Sequence, residues 1–400
     1  MIVMALNCGS SSLKYKLISL PDKRELAGGE AQRVGPKTAE PARIIHHVKG
    51  TQKTHFVEMN NHGEAFREVM NLLSESPELI PDCLGHRMVH GGSLFRKPVI
   101  VNEDVVASLE KINHLAPIHN PPALDLVKAC HEMYPDLPSC VVFDTAFHST
   151  IPQYAYTYAL PEELRNSMGI RKYGFHGTSH QFVAEEAARI LDIPMGQFNA
   201  VSCHLGSGGA SLAAIVNGRS VDNTMGYSPL QGLLMSTRSG DLDPAIVLLM
   251  VAQKNGDFDS VESQLNKKSG VLGLSGVSPD IRDIFALKNK KQGAVESLNH
   301  AASLYVWRVK KYLGAYLATV GKADAVIFTD TIGETMPVIR WMICADMDVF
   351  GIKIDPEKNN SQELPLVCSR DDSPVRILAI QTNEELAIAI RTYELLDKAA

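Results

Sequence analysis

The chain has 400 residues, more than one hydrophobic core usually serves, so two domains are expected. Apolar residues make up 45% and charged residues 21%, and the formal net charge is −6. That acidic balance argues against a nucleic-acid partner, which calls for a basic face.

The N-terminal stretch 1–6 is apolar, but no basic region precedes it and residues 7–12 turn polar at once, unlike a signal peptide. Residues 3–20 read as an apolar strand, the turn Asn7-Cys8-Gly9-Ser10-Ser11-Ser12, then the alternating Leu13-Lys14-Tyr15-Lys16-Leu17. Small residues let backbone amides approach a phosphate, hydroxyls donate to its oxygens, and Lys14 adds charge. Walker A spacing is missing, and the same residues also suit an ordinary serine-rich hairpin. A helical pattern follows over 63–74, with Phe66, Val69, Met70 and Leu73 on one face. The string Gly85-His86-Arg87-Met88-Val89-His90 sets an arginine among apolar residues, where an anion would suit its fork. Val141-Val142-Phe143-Asp144 ends an apolar strand on a carboxylate, an active-site placement in α/β proteins or a simple turn residue. Residues 149–158 contain Pro152 and are a candidate crossover between domains.

Tyr173-Gly174-Phe175-His176-Gly177-Thr178-Ser179-His180 precedes a helix that Thr178 or Ser179 can cap, and His176 is a binding or a structural histidine there. Residues 198–218 repeat the opening pattern: apolar strand, His204-Leu205-Gly206-Ser207-Gly208-Gly209, strand, and a turn at Asn217-Gly218. The echo signifies either a duplicated domain or two unrelated hairpins. Arg238 lies in the polar loop Met235-Ser236-Thr237-Arg238-Ser239-Gly240-Asp241, either as an anion ligand or paired internally with Asp241 or Asp243. The longest apolar runs, such as 245–252, are too short to cross a bilayer. An amphipathic helix is expected through Val295, Leu298, Ala302, Val306, Val309, Leu313 and Leu317, then a buried strand over 325–328. Strands alternating with helices give an α/β fold with mixed sheets. The seven cysteines (8, 83, 130, 140, 203, 344 and 368) form no C-x-x-C pair and no zinc-spaced cluster, which fits reduced thiols and a cytoplasmic protein without a membrane partner. Two phosphate-type turns, two loop arginines, a strand-end Asp and a loop His together suit phosphoryl transfer, where catalysis is mostly positioning and charge stabilisation.

On these strings, above all Phe143-Asp144-Thr145-Ala146-Phe147-His148 and Gly174-Phe175-His176-Gly177-Thr178-Ser179-His180, the chain resembles the acetate kinase family, within the acetate and sugar kinase/Hsp70/actin superfamily. The resemblance implies two duplicated ribonuclease-H-like (actin-like ATPase) domains with the active site in the interdomain cleft. It divides the chain into an acyl/phosphate domain, residues 1–150 closed by the C-terminal helix 384–400, and a nucleotide-binding domain, 151–383. It also implies a homodimer, Mg²⁺ (or Mn²⁺), ATP/ADP, and acetate/acetyl phosphate. By position, Asn7 and Glu384 would hold Mg²⁺, with Ser10, Ser12 and Lys14 near the phosphates. Arg87 and Arg238 would grip the acyl carboxylate and the phosphoryl in flight, His176 would stabilise that phosphoryl, and His119 would support the pocket. Asp144 is the family's proposed proton donor or acceptor. Val89, Ile118, Phe175 and Pro229 would line the acyl-tail pocket and favour acetate over propionate. His204, Leu205, Gly206, Ser207 and Gly208, then Asp280, Ile281 and Arg282, then Thr331, Ile332, Gly333, Glu334 and Thr335 would frame the nucleotide.

An acid of this kind is ionised at pH 7, so the nucleophile needs no general base. What opposes reaction is anion approaching polyanion: two unit charges at 4 Å interact by roughly 4 kcal/mol at an effective dielectric of 20. Direct in-line transfer is therefore expected, with Asp144 positioning an arginine or the metal. One departure stands out. Where the family reads Phe-Thr-Gly-Gly-Ile-Gly-Glu-Asn, this chain reads Phe328-Thr329-Asp330-Thr331-Ile332-Gly333-Glu334-Thr335, and Ser207 replaces a usual Asn. Relatives that use pyrophosphate are obstructed at this loop, so the same acyl chemistry with a pyrophosphate donor is the alternative. Propionate kinase, butyrate kinase, a regulatory paralogue and an actin- or Hsp70-like ATPase switch are the others.

Overall fold

A computed structural model describes residues 1–35, 38–290 and 296–398. The chain divides into two compact units, residues 1–147 with 383–400, and residues 148–382.

In the first unit eight strands form one sheet among the described residues: β1 (Ile2–Cys8), β2 (Ser12–Ser19), β3 (Arg24–Gln32), β4 (Arg43–Val48), β5 (Thr51–Phe56), β6 (Cys83–Met88), β7 (Val99–Ile100) and β8 (Ser139–Phe143). Their order is β5-β4-β3-β2-β1-β6-β8-β7. Strands β1, β6 and β8 are parallel neighbours, while β1 to β5 form an antiparallel meander. Both faces of the central strands are covered, which is why β1 and β8 read as nearly continuous apolar runs. One face packs on helix His62–Ser74, whose Phe66, Val69, Met70 and Leu73 are buried as the sequence spacing requires. Asn61 caps that helix by accepting from Glu64 N at 2.9 Å. On the other face, Val3, Ala5, Cys83 and Val142 pack against Ile388 and Ala389 of the C-terminal helix Glu384–Asp397.

The second unit holds a six-stranded sheet among the described residues: β9 (Ala200–Leu205), β10 (Ala210–Val216), β11 (Arg219–Asn223), β12 (Ala325–Thr329), β13 (Leu366–Val367) and β14 (Arg376–Ala379). The order β11-β10-β9-β12-β14 repeats β3-β2-β1-β6-β8: three antiparallel strands, then two parallel ones. The echo between residues 3–20 and 198–218 is therefore a true duplication and not a pair of unrelated hairpins. The amphipathic helix runs Glu296–Val320 and buries Leu298, Ala302, Val306, Val309, Leu313 and Leu317; Val295 lies outside the described residues. Truncating one such side chain, as in Leu313→Ala, costs about 2–5 kcal/mol in a close-packed core. β12 is wholly buried, as expected.

One local expectation is corrected. Neither Thr178 nor Ser179 caps helix Gly177–Ile190; both lie inside its first turn, and the cap position belongs to His176 in a left-handed conformation (φ 57°). The apolar run 245–252 forms helix Pro244–Gln253, capped by Asp243, with no buried residue; Leu248 is 71% exposed. No described helix is long and apolar enough to cross a membrane.

Candidate active site

The register of the first sheet assembles one charged group. Ala5 pairs with Gly85 on parallel β1 and β6, and Arg87 pairs with Val142 on parallel β6 and β8. Alternation then puts Asn7, Arg87 and Asp144 on one face at the carboxyl ends of the parallel strands, where α/β proteins place ligands. Arg87 Nε lies 3.1 and 3.2 Å from the two Asp144 oxygens, and Nη2 lies 2.7 Å from Oδ2. Its Nη1 donates to Asn7 Oδ1 at 3.0 Å and stands 3.4 Å from Glu384 Oε2. Asn7 Nδ2 in turn donates to Glu384 Oε2 at 3.3 Å. Glu384 reaches this group because the C-terminal helix, docked on the same face, starts there. Burial opposes the Arg87 charge, but Asp144 and Glu384 outweigh it and raise the Arg87 pKa.

Ser10 and Lys14 are exposed and Ser12 is half-buried on the β1–β2 hairpin. Val89 is half-buried, while Ile118 and His119 are exposed just before helix Asn120–Met133. Among the described residues no group of three or more His, Cys, Asp or Glu is placed to hold a metal. The oxygens of Asn7 and Glu384 do sit in one hydrogen-bonded cluster. Such hard donors fit Mg²⁺, which takes one or two protein oxygens and keeps waters or phosphates for the rest.

The second unit assembles another group. Ser211 of β10 is opposite His204 of β9, and His204 is level with Thr329 of β12. Helix Gly177–Ile190 crosses the same face. Ser211 Oγ lies 2.9 Å from His176 Nδ1 and 2.8 Å from His180 Nε2, and His180 Nδ1 lies 2.9 Å from Ser202 Oγ. Burial, aided by His148 and His204, holds His180 neutral, so its ring passes a hydrogen bond and not a charge. His176 stacks on His204 with ring centroids 4.2 Å apart. A left-handed non-glycine residue costs about 1–3 kcal/mol, and such strain clusters at functional sites.

Arg238 joins this group: a Cβ built on Gly209 would meet Arg238 Nη1 at 3.4 Å and His176 Nε2 at 3.5 Å. The internal pair considered from the sequence does not form. Asp241 accepts from Gly232 N and Tyr312 Oη, and Asp243 caps its helix. Arg238 Nη1 instead donates to Pro229 O at 3.1 Å and faces Met235 Sδ at 3.6 Å. Among the described residues no carboxylate pairs with it, and burial lowers its pKa. A cation held by neutral acceptors is a seat for an anion.

The other loops are placed as follows. Leu205 and Gly206 are buried, whereas Ser207 and Gly208 are exposed on the β9–β10 turn. Asp280 is bound by Arg282 of its own turn, at 2.6 Å to Nη2, and Ile281 is buried beside them. Residues Asp330–Thr335 form a short helix. In it Ile332 and Gly333 are buried, and Glu334 accepts from Asp330 N and Thr382 N, both at 2.8 Å. Thr331 is half-buried and Thr335 exposed. Phe175 is buried, and its carbonyl is 2.9 Å from His148 Nε2. Three contributors escaped the sequence reading. Ser211 lies inside a strand and His180 inside a helix, where no local pattern gives either a role. Arg340, fully buried, donates to the Gly333 and Glu334 carbonyls and to Asn359, pinning the end of that short helix.

Two units with the same strand order, one with charged groups at its parallel strand ends and one with an arginine that no described carboxylate pairs, beside a left-handed histidine, define an α/β kinase. The chain matches the Acetokinase family model over residues 2–390 and belongs to that family. It is 46% identical to a protein named acetate kinase from Alkaliphilus metalliredigens, over 99% of this chain and 100% of the relative. Among solved structures it resembles the acetate kinase of Porphyromonas gingivalis (TM-score 0.91, 38% identity, 99% of each chain covered). It is also similar to a propionate kinase from Francisella tularensis (TM-score 0.89, 36% identity, 98% of each chain).

Proposed function

We propose that this enzyme reversibly transfers the γ-phosphoryl group of ATP to acetate, giving acetyl phosphate and ADP by direct in-line attack. The observation that carries this reading is Arg238, a cation beside His176 that no carboxylate pairs among the described residues. Acetate attacks as a carboxylate, so no base is required, and the work of the site is to offset anion–anion repulsion. Arg238 and His176 act on the phosphoryl in flight, with His119 supporting the pocket. Arg87 orients the acyl carboxylate and is itself oriented by Asp144, whose two oxygens are bound to the guanidinium. Asp144 thus positions and does not shuttle a proton. Asn7 and Glu384 would hold Mg²⁺, which supplies charge neutralisation to the donor phosphates. Ser10, Ser12 and Lys14 serve as phosphate ligands, and residues 204–208, 280–282 and 331–335 as nucleotide ligands.

Val89, Ile118, Phe175 and Pro229 limit the acyl tail. One methylene is worth about 1–3 kcal/mol, so propionate is a slower substrate and not an excluded one. The similarity to a propionate kinase makes propionate the second reading. Residues 1–147 with the C-terminal helix serve the acyl group, and residues 148–382 the nucleotide. Helix Pro244–Gln253, apolar up to Gln253 and without a buried residue, suits a homodimer contact; a monomer at micromolar concentration in sedimentation would count against it. The free cysteines fit a cytoplasmic setting.

A hydroxamate assay for acyl phosphate tests the reading, with acetate, propionate and butyrate against ATP, GTP and pyrophosphate. Acetate with ATP should give the largest signal. No acyl phosphate with any donor overturns the proposal.

A further inference from the structure

His204 is the next-to-last residue of β9, at the entry to the turn read above as a phosphate loop, and its ring nitrogens are both engaged. Nδ1 lies 2.9 Å from Ser179 Oγ, which lies 2.9 Å from Thr382 Oγ1. Nε2 lies 2.9 Å from Asp330 Oδ2. Asp330 is one of three side chains, with Thr331 and Thr335, that depart from the family string. It adopts φ 62°, which few side chains other than Asn and Asp tolerate. Its other oxygen accepts from Thr331 N at 2.5 Å and Thr331 Oγ1 at 2.9 Å, so the carboxylate is fixed at both ends. It also lies against the loop itself, since a Cβ built on Gly206 would stand 2.5 Å from Asp330 Oδ2. The His204 side chain is only 4% exposed and Asp330 27%, so the carboxylate stands between the histidine and any ligand approaching that nitrogen.

We infer that Asp330 is a built-in anion that occupies the donor-phosphate position on His204, and that it sets the affinity of this enzyme for its phosphoryl donor. The inference rests on the reading of residues 204–208 as a phosphate loop. A carboxylate and a phosphate oxygen are both acceptors, so only one can take the His204 Nε2 proton. A polyphosphate entering here must displace Asp330 or accept from other donors while a fixed negative charge faces it, and either course weakens its binding. The acyl side is not involved, because Asp330 and its partners belong to the nucleotide side of the reaction. The penalty falls on any polyphosphate, since it arises from charge and not from adenosine.

The test is titration calorimetry of the full-length protein with Mg·ADP and with Mg·pyrophosphate, on wild type, Asp330→Asn and Asp330→Gly. Asn keeps the left-handed backbone and the shape but removes the charge; Gly removes both. Binding of both anions should tighten by about tenfold in Asp330→Asn, as expected for one nearby charge, and further in Asp330→Gly. Unchanged or weaker binding in both variants overturns the inference, as does a gain for ADP alone. If the glycine variant does not fold, the asparagine variant decides. Acyl phosphate formation by the wild type separately decides the kinase reading. An enzyme that makes acyl phosphate but whose variants bind donors no better would lose this inference and keep that function.

Discussion

Arg87 and Asp144 lie 57 residues apart in sequence, yet Asp144 receives the Arg87 guanidinium on both of its carboxylate oxygens, at 2.7 Å for the shortest contact. This geometry spends both oxygens of Asp144 on one cation. The carboxylate is thereby fixed against the guanidinium.

Asp144→Asn should therefore weaken catalysis by misaligning Arg87. A misplacement of about 1 Å costs on the order of 10²-fold, so kcat/KM for acetate should fall by about two powers of ten. The loss should be the same at every pH from 6 to 9. A loss that tracks pH would assign Asp144 a proton-transfer role instead.

Arg238 separates function from stability. Its charge is buried among neutral acceptors, so Arg238→Ala removes an electrostatic cost along with a side chain. The melting temperature should hold within a few degrees, while kcat falls by about 10²–10³, the usual loss for one transition-state donor. A large drop in melting temperature together with retained kcat would show that Arg238 serves the fold.

The Ser211 hydroxyl joins His176 to a neutral, buried His180. Ser211→Ala should leave His176 Nδ1 without this partner and shift the pH profile of kcat, with a loss of about tenfold, as for other partners that orient an imidazole. Ser211→Thr keeps the hydroxyl and should restore the wild-type profile. Identical profiles in all three proteins would remove Ser211 from the mechanism.

His86 governs acid stability. It lies between strands at the centre of the first sheet, 1% exposed, and neither ring nitrogen has a hydrogen-bond partner. Burial pushes its pKa down from 6.5 to about 3. The unfolded chain then binds the extra proton first. Stability is fully present above pH 6.5 and declines as pH falls from 6.5 towards 3, by about 1.4 kcal/mol per unit. By pH 5 the loss from this one group is about 2 kcal/mol. His86→Met should lose correspondingly less stability between pH 7.5 and 5 in urea denaturation. Equal losses in both proteins would disprove the assignment.

Local chemistry decided much of this molecule. Alternation around Asn7 to Ser12 and around His204 to Gly209 dictates two strand–turn–strand units, because side chains in a strand must face opposite ways. The spacing of Phe66, Val69, Met70 and Leu73, and of Leu298 through Leu317, dictates helices that bury one face. The family strings carried the candidate residues. Sequence could not decide their partners. Whether Arg87 met a carboxylate while Arg238 did not depends on strand register, which pairs Arg87 with Val142 and so delivers Asp144 to it. The cap of helix Gly177–Ile190 was misread because propensity favours a serine or threonine, whereas packing forces His176 into a left-handed turn. Asp330 could be seen as an odd residue in its loop, but its partner, His204, is 126 positions away and becomes a neighbour only because β9 and β12 lie side by side in parallel. Sequence patterns act over a few residues, and the charges in this site are set against one another by contacts between distant strands.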